Sequence, residues 1–158
     1  MPQTSKAQAG LLAKCHEKTE QETNPKDAVG RTKVPFSTLP FPPLAEAAVA
    51  MFEGASKYGR HNYRAASVAA SVYFDAALRH LISWYEGEDI DSDSGISHVT
   101  KAIASLLILR DAQLLEKCID DRPIRSTEKF SLSSLQPDIA ALAAKHPNPP
   151  APFTQKRP

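Results

Sequence analysis

Two histidines stand where apolar side chains belong. His80 falls within the stripe Tyr73, Ala77, Trp84, which recurs at helical spacing, and His98 shares a helix face with Ala102, Ser105 and Leu109. Burying an imidazole is costly unless it is paired or used. Between them, Glu86-Gly-Glu88-Asp89-Ile-Asp91-Ser-Asp93-Ser-Gly95 puts five carboxylates into positions 86 to 93. Such a run repels itself unless a cation or basic groups neutralise it. Upstream, Glu46, Ala50, Glu53 and Lys57 lie along one line of a helix. Hard divalent cations take oxygen ligands, imidazole suits Mn²⁺, Co²⁺ or Zn²⁺ better than Mg²⁺, and facing helices that project Glu and His inward can build a metal site. Each feature also has an ordinary reading: a hydrogen-bonded core histidine, a solvated Glu53/Lys57 pair, a surface Asp75/Arg79 pair, an exposed acidic loop. The run does not follow the EF-hand pattern.

The stretch Lys57-Tyr58-Gly59-Arg60-His61-Asn62-Tyr63-Arg64 brings the opposite charge. Its cations suit phosphate oxygens, and Tyr58 and Tyr63 suit base stacking. A basic loop that balances a helix C-terminus is the alternative. Ser94-Gly95 fronts a helix whose first N–H groups can face an anion. There is no GxxxxGK[ST], GxGxxG or GxSxG motif, which excludes Walker and Rossmann nucleotide sites and the serine-hydrolase elbow. Neither Cys15 nor Cys118 has an evident base beside it, so covalent catalysis is unsupported.

Helices must carry these groups. Start and stop signals predict one helix over Pro43–Tyr58, ending at Gly59, a second over Val68–Glu86, ending at Gly87, and a third over Ser97–Lys117 with Ile103, Leu106, Leu107 and Leu114 on it. Alternating β-branched runs are nearly absent, so the expected class is all-α. The helix faces are small (AEAAVA, VAASV, KAIAS), which leaves a thin core for one chain and predicts a homo-oligomer, dimer or tetramer, that completes the bundle. Residues 1–23 read as a flexible extension, 24–123 as the compact domain, and 124–158 as a proline-rich tail with one short helix at Pro137–Lys145.

Length and charge narrow the classes. At 158 residues there is room for one core, and a net charge of +1 argues against a nucleic-acid binder. The longest apolar stretch, Ile103–Leu109, is far short of a membrane span, and the N-terminus has no secretory h-region. A cytoplasmic location, within the host cell for a phage-encoded chain, is the expectation.

The motifs Asn24-Pro-Lys-Asp27-x-x-Gly30, Glu53-Gly-Ala-x-Lys57-Tyr-Gly-x-x-Asn62-Tyr-Arg64, Arg79-His80-Leu-x-x-Trp84-x-x-Gly87-Glu88, Asp93-Ser-Gly95-x-x-His98 and Asp120-Asp-Arg-Pro123 follow in order. Together, over about residues 24–123, they resemble the phage and prophage dATP/dGTP diphosphohydrolases, a MazG-like group that includes the MazZ enzymes of phages with 2-aminoadenine DNA. The resemblance implies a metal-dependent, all-α nucleotide pyrophosphohydrolase. It would turn dGTP or dATP into the monophosphate and pyrophosphate, supply dGMP for 2-aminoadenine nucleotide synthesis and deplete dATP. It further implies metal binding (Mg²⁺, or Mn²⁺ or Co²⁺) at Glu53, Glu88, Asp93 and His98, with His80, Glu88 and His98 as catalytic groups. Lys57, Arg79 and Lys101 would hold phosphate, and Asn62 and Tyr63 the base. Tyr63 stands where the family usually has Trp, Lys101 where a second His is common, and the MazG ExxE…ExxD pattern is matched only in its second half, by Glu88-x-x-Asp91. The competing readings are a non-catalytic helical interaction module and an all-α dUTPase-like pyrophosphatase.

Overall fold

The computed structural model describes residues 24–124 and 131–154. The flexible extension expected at 1–23 lies outside the described residues.

The described part is helical apart from two strands of two residues each. Helix α1, Pro25–Gly30, is capped by the Asn24 side chain, which accepts from the Lys26 N–H. Helix α2, Phe41–Tyr58, begins two residues earlier than the proline pair suggests, because Pro42 and Pro43 sit in the first turn, where a missing N–H costs nothing. It stops at Gly59, whose φ of 88° only glycine adopts readily. A single turn, α3 (Asn62–Ala65), leads to strand β1 (Val68–Ala69) and helix α4 (Ala70–Tyr85). Helix α5, His98–Leu114, is followed by β2, Cys118–Ile119. Beyond it lies α6, Gln136–Lys145, the short helix that Pro137 marks in the tail.

Strands β1 and β2 pair in parallel, Val68 opposite Cys118 and Ala69 opposite Ile119, so the entry of α4 is tied to the exit of α5. Just past β2, the Asp121 carboxylate accepts from the Ser71 N–H and hydroxyl and thereby caps α4. Asp120 is paired with Arg122, which accounts for the Asp-Asp-Arg sequence without any role at the cleft.

Helix α5 lies against both α4 and α2. The close contacts are made by alanines: Ala47 and Ala50 on α2, Ala70 and Ala77 on α4, Ala102, Ala104 and Ala112 on α5 are all buried. Tyr63, Val68 and Ala112 form the one apolar cluster of buried side chains among the described residues, with Met51, Tyr73, Ile108 and Cys118 against it. The leucines of α5 behave otherwise than periodicity suggests. Leu106, Leu107 and Leu114 are exposed, and so are Phe74, Leu78, Leu81 and Tyr85 on α4. Trp84, counted within the buried stripe, is 43% exposed. Small residues are selected wherever backbones approach, and the large ones point away.

Candidate active site

A cleft of about 550 Å³ opens between α2, the loop after it, α4 and α5; Glu53, Lys57, Asn62, His80 and Lys101 are among its walls. With Tyr63, which also lines it, six of the expected site residues share one cavity. Arg60 and His61 line it too.

Its charged wall is a chain of ion pairs. Lys57 Nζ donates to Glu53 Oε1 at 2.6 Å and lies 3.3 Å from Asp93 Oδ2. Lys101 Nζ is 3.0 Å from Glu53 Oε2 and 3.0 Å from Asp91 Oδ2. The hydrogen bond from Lys57 lowers the Glu53 carboxyl below its ordinary range, burial opposes this, and Lys101 adds to the lowering. Asp91 is held well below the carboxylate range by the Ser94 hydroxyl, then by Lys101. For Lys101 the largest influence is burial, which disfavours its charge, but Asp91 and Glu53 together outweigh it and the ammonium is strengthened.

The acidic run is therefore a built turn. Asp91 N–H donates to the Ile96 carbonyl, Gly95 N–H to the Asp91 carbonyl, and Ile90 bridges Ser97 in antiparallel fashion. The turn aims Asp91 at Lys101 and feeds the chain into α5 at His98.

Behind the ion pairs sit the histidines. His80 Nδ1 and His98 Nδ1 are 2.8 Å apart. His98 is 5% exposed, and its Nε2 lies 3.3 Å from Glu88 Oε2 without hydrogen-bond alignment and without another partner. In the neutral pair one Nδ1 must donate and the other accept. An Nε2–H on His98 is favoured because the Glu88 carboxylate lies 3.3 Å from that atom. His98 then accepts at Nδ1, His80 donates, and the lone pair of His80 is left on Nε2. Burial, then the positive charge of Lys101, lowers the pKa of His80 and so disfavours its charged form. The arrangement places one imidazole at the cleft, a second against it, and a carboxylate 3.3 Å beyond the second.

Tyr63, 8% exposed, lines the cleft and also belongs to the apolar cluster; Tyr58, 71% exposed at the cleft rim, has an open ring. Arg79 is exposed and outside the cleft wall. Arg64 points the other way and binds Asp111 with two hydrogen bonds, of 2.8 and 2.9 Å. Glu46 accepts from Thr100 at 2.9 Å, an α2–α5 tie rather than a cleft group. Asp91, read from the sequence as part of the acidic run and of Glu88-x-x-Asp91, is tied to Ser94, and Asp-x-x-Ser is a local turn signature.

Glu53, Glu88, Asp93 and His98, the set expected to hold an ion, do not meet. Glu53 and Asp93 face ammonium groups, Glu88 and His98 face each other, and among the described residues no three His, Cys, Asp or Glu side chains converge on one point. As placed, these residues do not fit a resident metal ion.

An all-α chain whose cleft is walled by lysines and an imidazole defines a class suited to an anionic substrate. Residues 23–122 match the family model described as dATP/dGTP diphosphohydrolase, N-terminal, and the chain belongs to that family. Neither the curated proteins nor the solved structures contain a match. Among the described residues, no helix is long and apolar enough to cross a membrane.

Proposed function

We propose that this chain hydrolyses dGTP or dATP to the nucleoside monophosphate and pyrophosphate. What carries the reading is one juxtaposition: Lys57 and Lys101 line the same cleft as His80, whose ring is oriented by His98. The lysines would hold the triphosphate oxygens. His80 Nε2 would take the proton from a water as its oxygen bonds to a phosphorus flanking the α–β bridge and the bridging P–O bond breaks; pyrophosphate leaves if the α-phosphorus is attacked, the nucleoside monophosphate if the β-phosphorus is. Asn62 would read the purine edge through its amide, and Tyr63, with the open ring of Tyr58 beside the same cleft, would stack on the base.

A divalent ion, Mg²⁺ or else Mn²⁺ or Co²⁺, would arrive as part of the substrate, carried on the triphosphate, where it neutralises charge. In a phage with 2-aminoadenine DNA, the products would feed dGMP to modified-purine synthesis while dATP is removed, in the host cytoplasm. The exposed leucine and aromatic faces of α4 and α5 support a homo-oligomer, since a lone chain rarely leaves so many large apolar groups in water.

The test is pyrophosphate release from a panel of nucleotides, with and without divalent ions. Release from dGTP or dATP supports the reading. Preference for dUTP would replace it with the pyrimidine hydrolase, and no turnover with any nucleotide would favour an interaction module.

A further inference from the structure

The cleft's carboxylates already have their cations. Glu53 has one oxygen on Lys57 and the other on Lys101, at 2.6 and 3.0 Å. Lys101 Nζ stands 3.0 Å from Asp91 as well, bridging two acids as a bridging metal ion would. Asp93 shares Lys57 with Glu53. The Lys101 side chain is only 16% exposed, so its ammonium is a fixture of the wall rather than a solvated tip. A charge held this closely by two carboxylates repels a second cation at the same place.

We propose that Lys57 and Lys101 are the resident cations of this cleft: without an anion bound, Glu53, Asp91 and Asp93 take no divalent ion, and any ion that is used enters on a polyphosphate chain. Phosphate oxygens compete with these carboxylates for the two ammonium groups. Anion and cation therefore favour each other's binding, and the coupling is reciprocal. The inference rests on the triphosphate reading only in naming the anion.

Equilibrium dialysis with Mn²⁺ tests it, on the wild-type chain and on Lys101→Met and Lys101→Arg, each alone and with tripolyphosphate. Wild type and Lys101→Arg are expected to retain no Mn²⁺ alone and to retain it with tripolyphosphate present. Lys101→Met, stripped of the bridging charge, should bind Mn²⁺ alone at least about tenfold more tightly than wild type. Lys101→Gln replaces it in the comparison if helical circular dichroism shows that the methionine variant has not folded. Wild-type chain that retains Mn²⁺ without any anion overturns the inference, and so does a neutral variant that binds no more tightly. Pyrophosphate release is scored separately. Turnover together with anion-free Mn²⁺ binding sinks this inference and spares the activity. Absence of turnover together with anion-dependent Mn²⁺ retention does the reverse.

Discussion

His80 and His98, on different helices, touch through their Nδ1 atoms at 2.8 Å, and Glu88 faces the far nitrogen of His98. Three groups in line divide the work unequally: only His80 lines the cleft. His80→Gln should lower kcat by roughly 10²–10⁴-fold, the range for loss of a general base, with KM for the nucleotide little changed. His98→Gln leaves the base in place but frees its ring to rotate, so it should cost less, and Glu88→Gln less again. Steady-state kinetics of the three variants orders them. Full kcat in His80→Gln would end its role as base.

The same ring sets a pH dependence. Burial, and then Lys101, lower the pKa of His80 from 6.5. Activity that needs the neutral ring should therefore hold down to pH values below 6.5 and fall as pH drops through the lowered pKa. Folding has the same sign, because the unfolded chain binds the proton more readily. The contribution of His80 to stability is present above the unfolded value and is lost as pH falls through the folded one. Removing the Lys101 charge should move the acid limb of kcat/KM upward. A limb that stays in place in Lys101→Met would show that Lys101 does not act on the base.

Why some of this is legible in the sequence and some is not follows from range. Helical periodicity, the Gly59 and Gly87 stops and the prolines are local signals, and the helices fall within a few residues of where these signals put them. Spacing also nominates His80 and His98 as misplaced polar groups, but 18 positions separate them, and no pattern tells that their rings meet. Arg64 misleads for the same reason. A cation beside a glycine loop suits a phosphate, whereas the fold spends it on Asp111, 47 positions on. The parallel β1–β2 pair is too short to leave an alternating signature. Leu106 and Leu107 read as core from type alone, yet alanines occupy the contact and the leucines face out.

Packing at alanine makes a stability prediction. Ala112 is 0% exposed and packs with Tyr63 and Val68 in the buried cluster. Ala112→Leu should destabilise by about 1–3 kcal/mol through overpacking, lowering Tm by about 2–4 °C per kcal/mol for a chain of this size. The exposed Leu106→Ala exchange should leave the isolated chain nearly unaffected but weaken self-association. Thermal melts and sedimentation together separate the two effects. An unchanged melt for Ala112→Leu would contradict the tight helix contact.

Arg64 and Asp111 make the last prediction, about distance from the chemistry. Their two parallel hydrogen bonds, 2.8 and 2.9 Å, fasten the one-turn helix α3 to α5, and α3 carries Asn62 into the cleft wall. His61, just before it, takes the left-handed conformation at φ 59°, an unfavourable turn for a residue with a side chain, so the loop needs outside support to hold its shape. Lysine offers one point charge in place of a planar fork and cannot make both bonds. Arg64→Lys should therefore raise KM for the purine nucleotide severalfold while kcat stays within about twofold, because the base, His80, stands on a different element. The exchanged pair Arg64→Asp with Asp111→Arg should recover part of the lost affinity, which a merely general destabilisation would not. Equal falls in kcat and kcat/KM for Arg64→Lys would place the damage in the transition state instead, and the loop would then be doing more than holding the base.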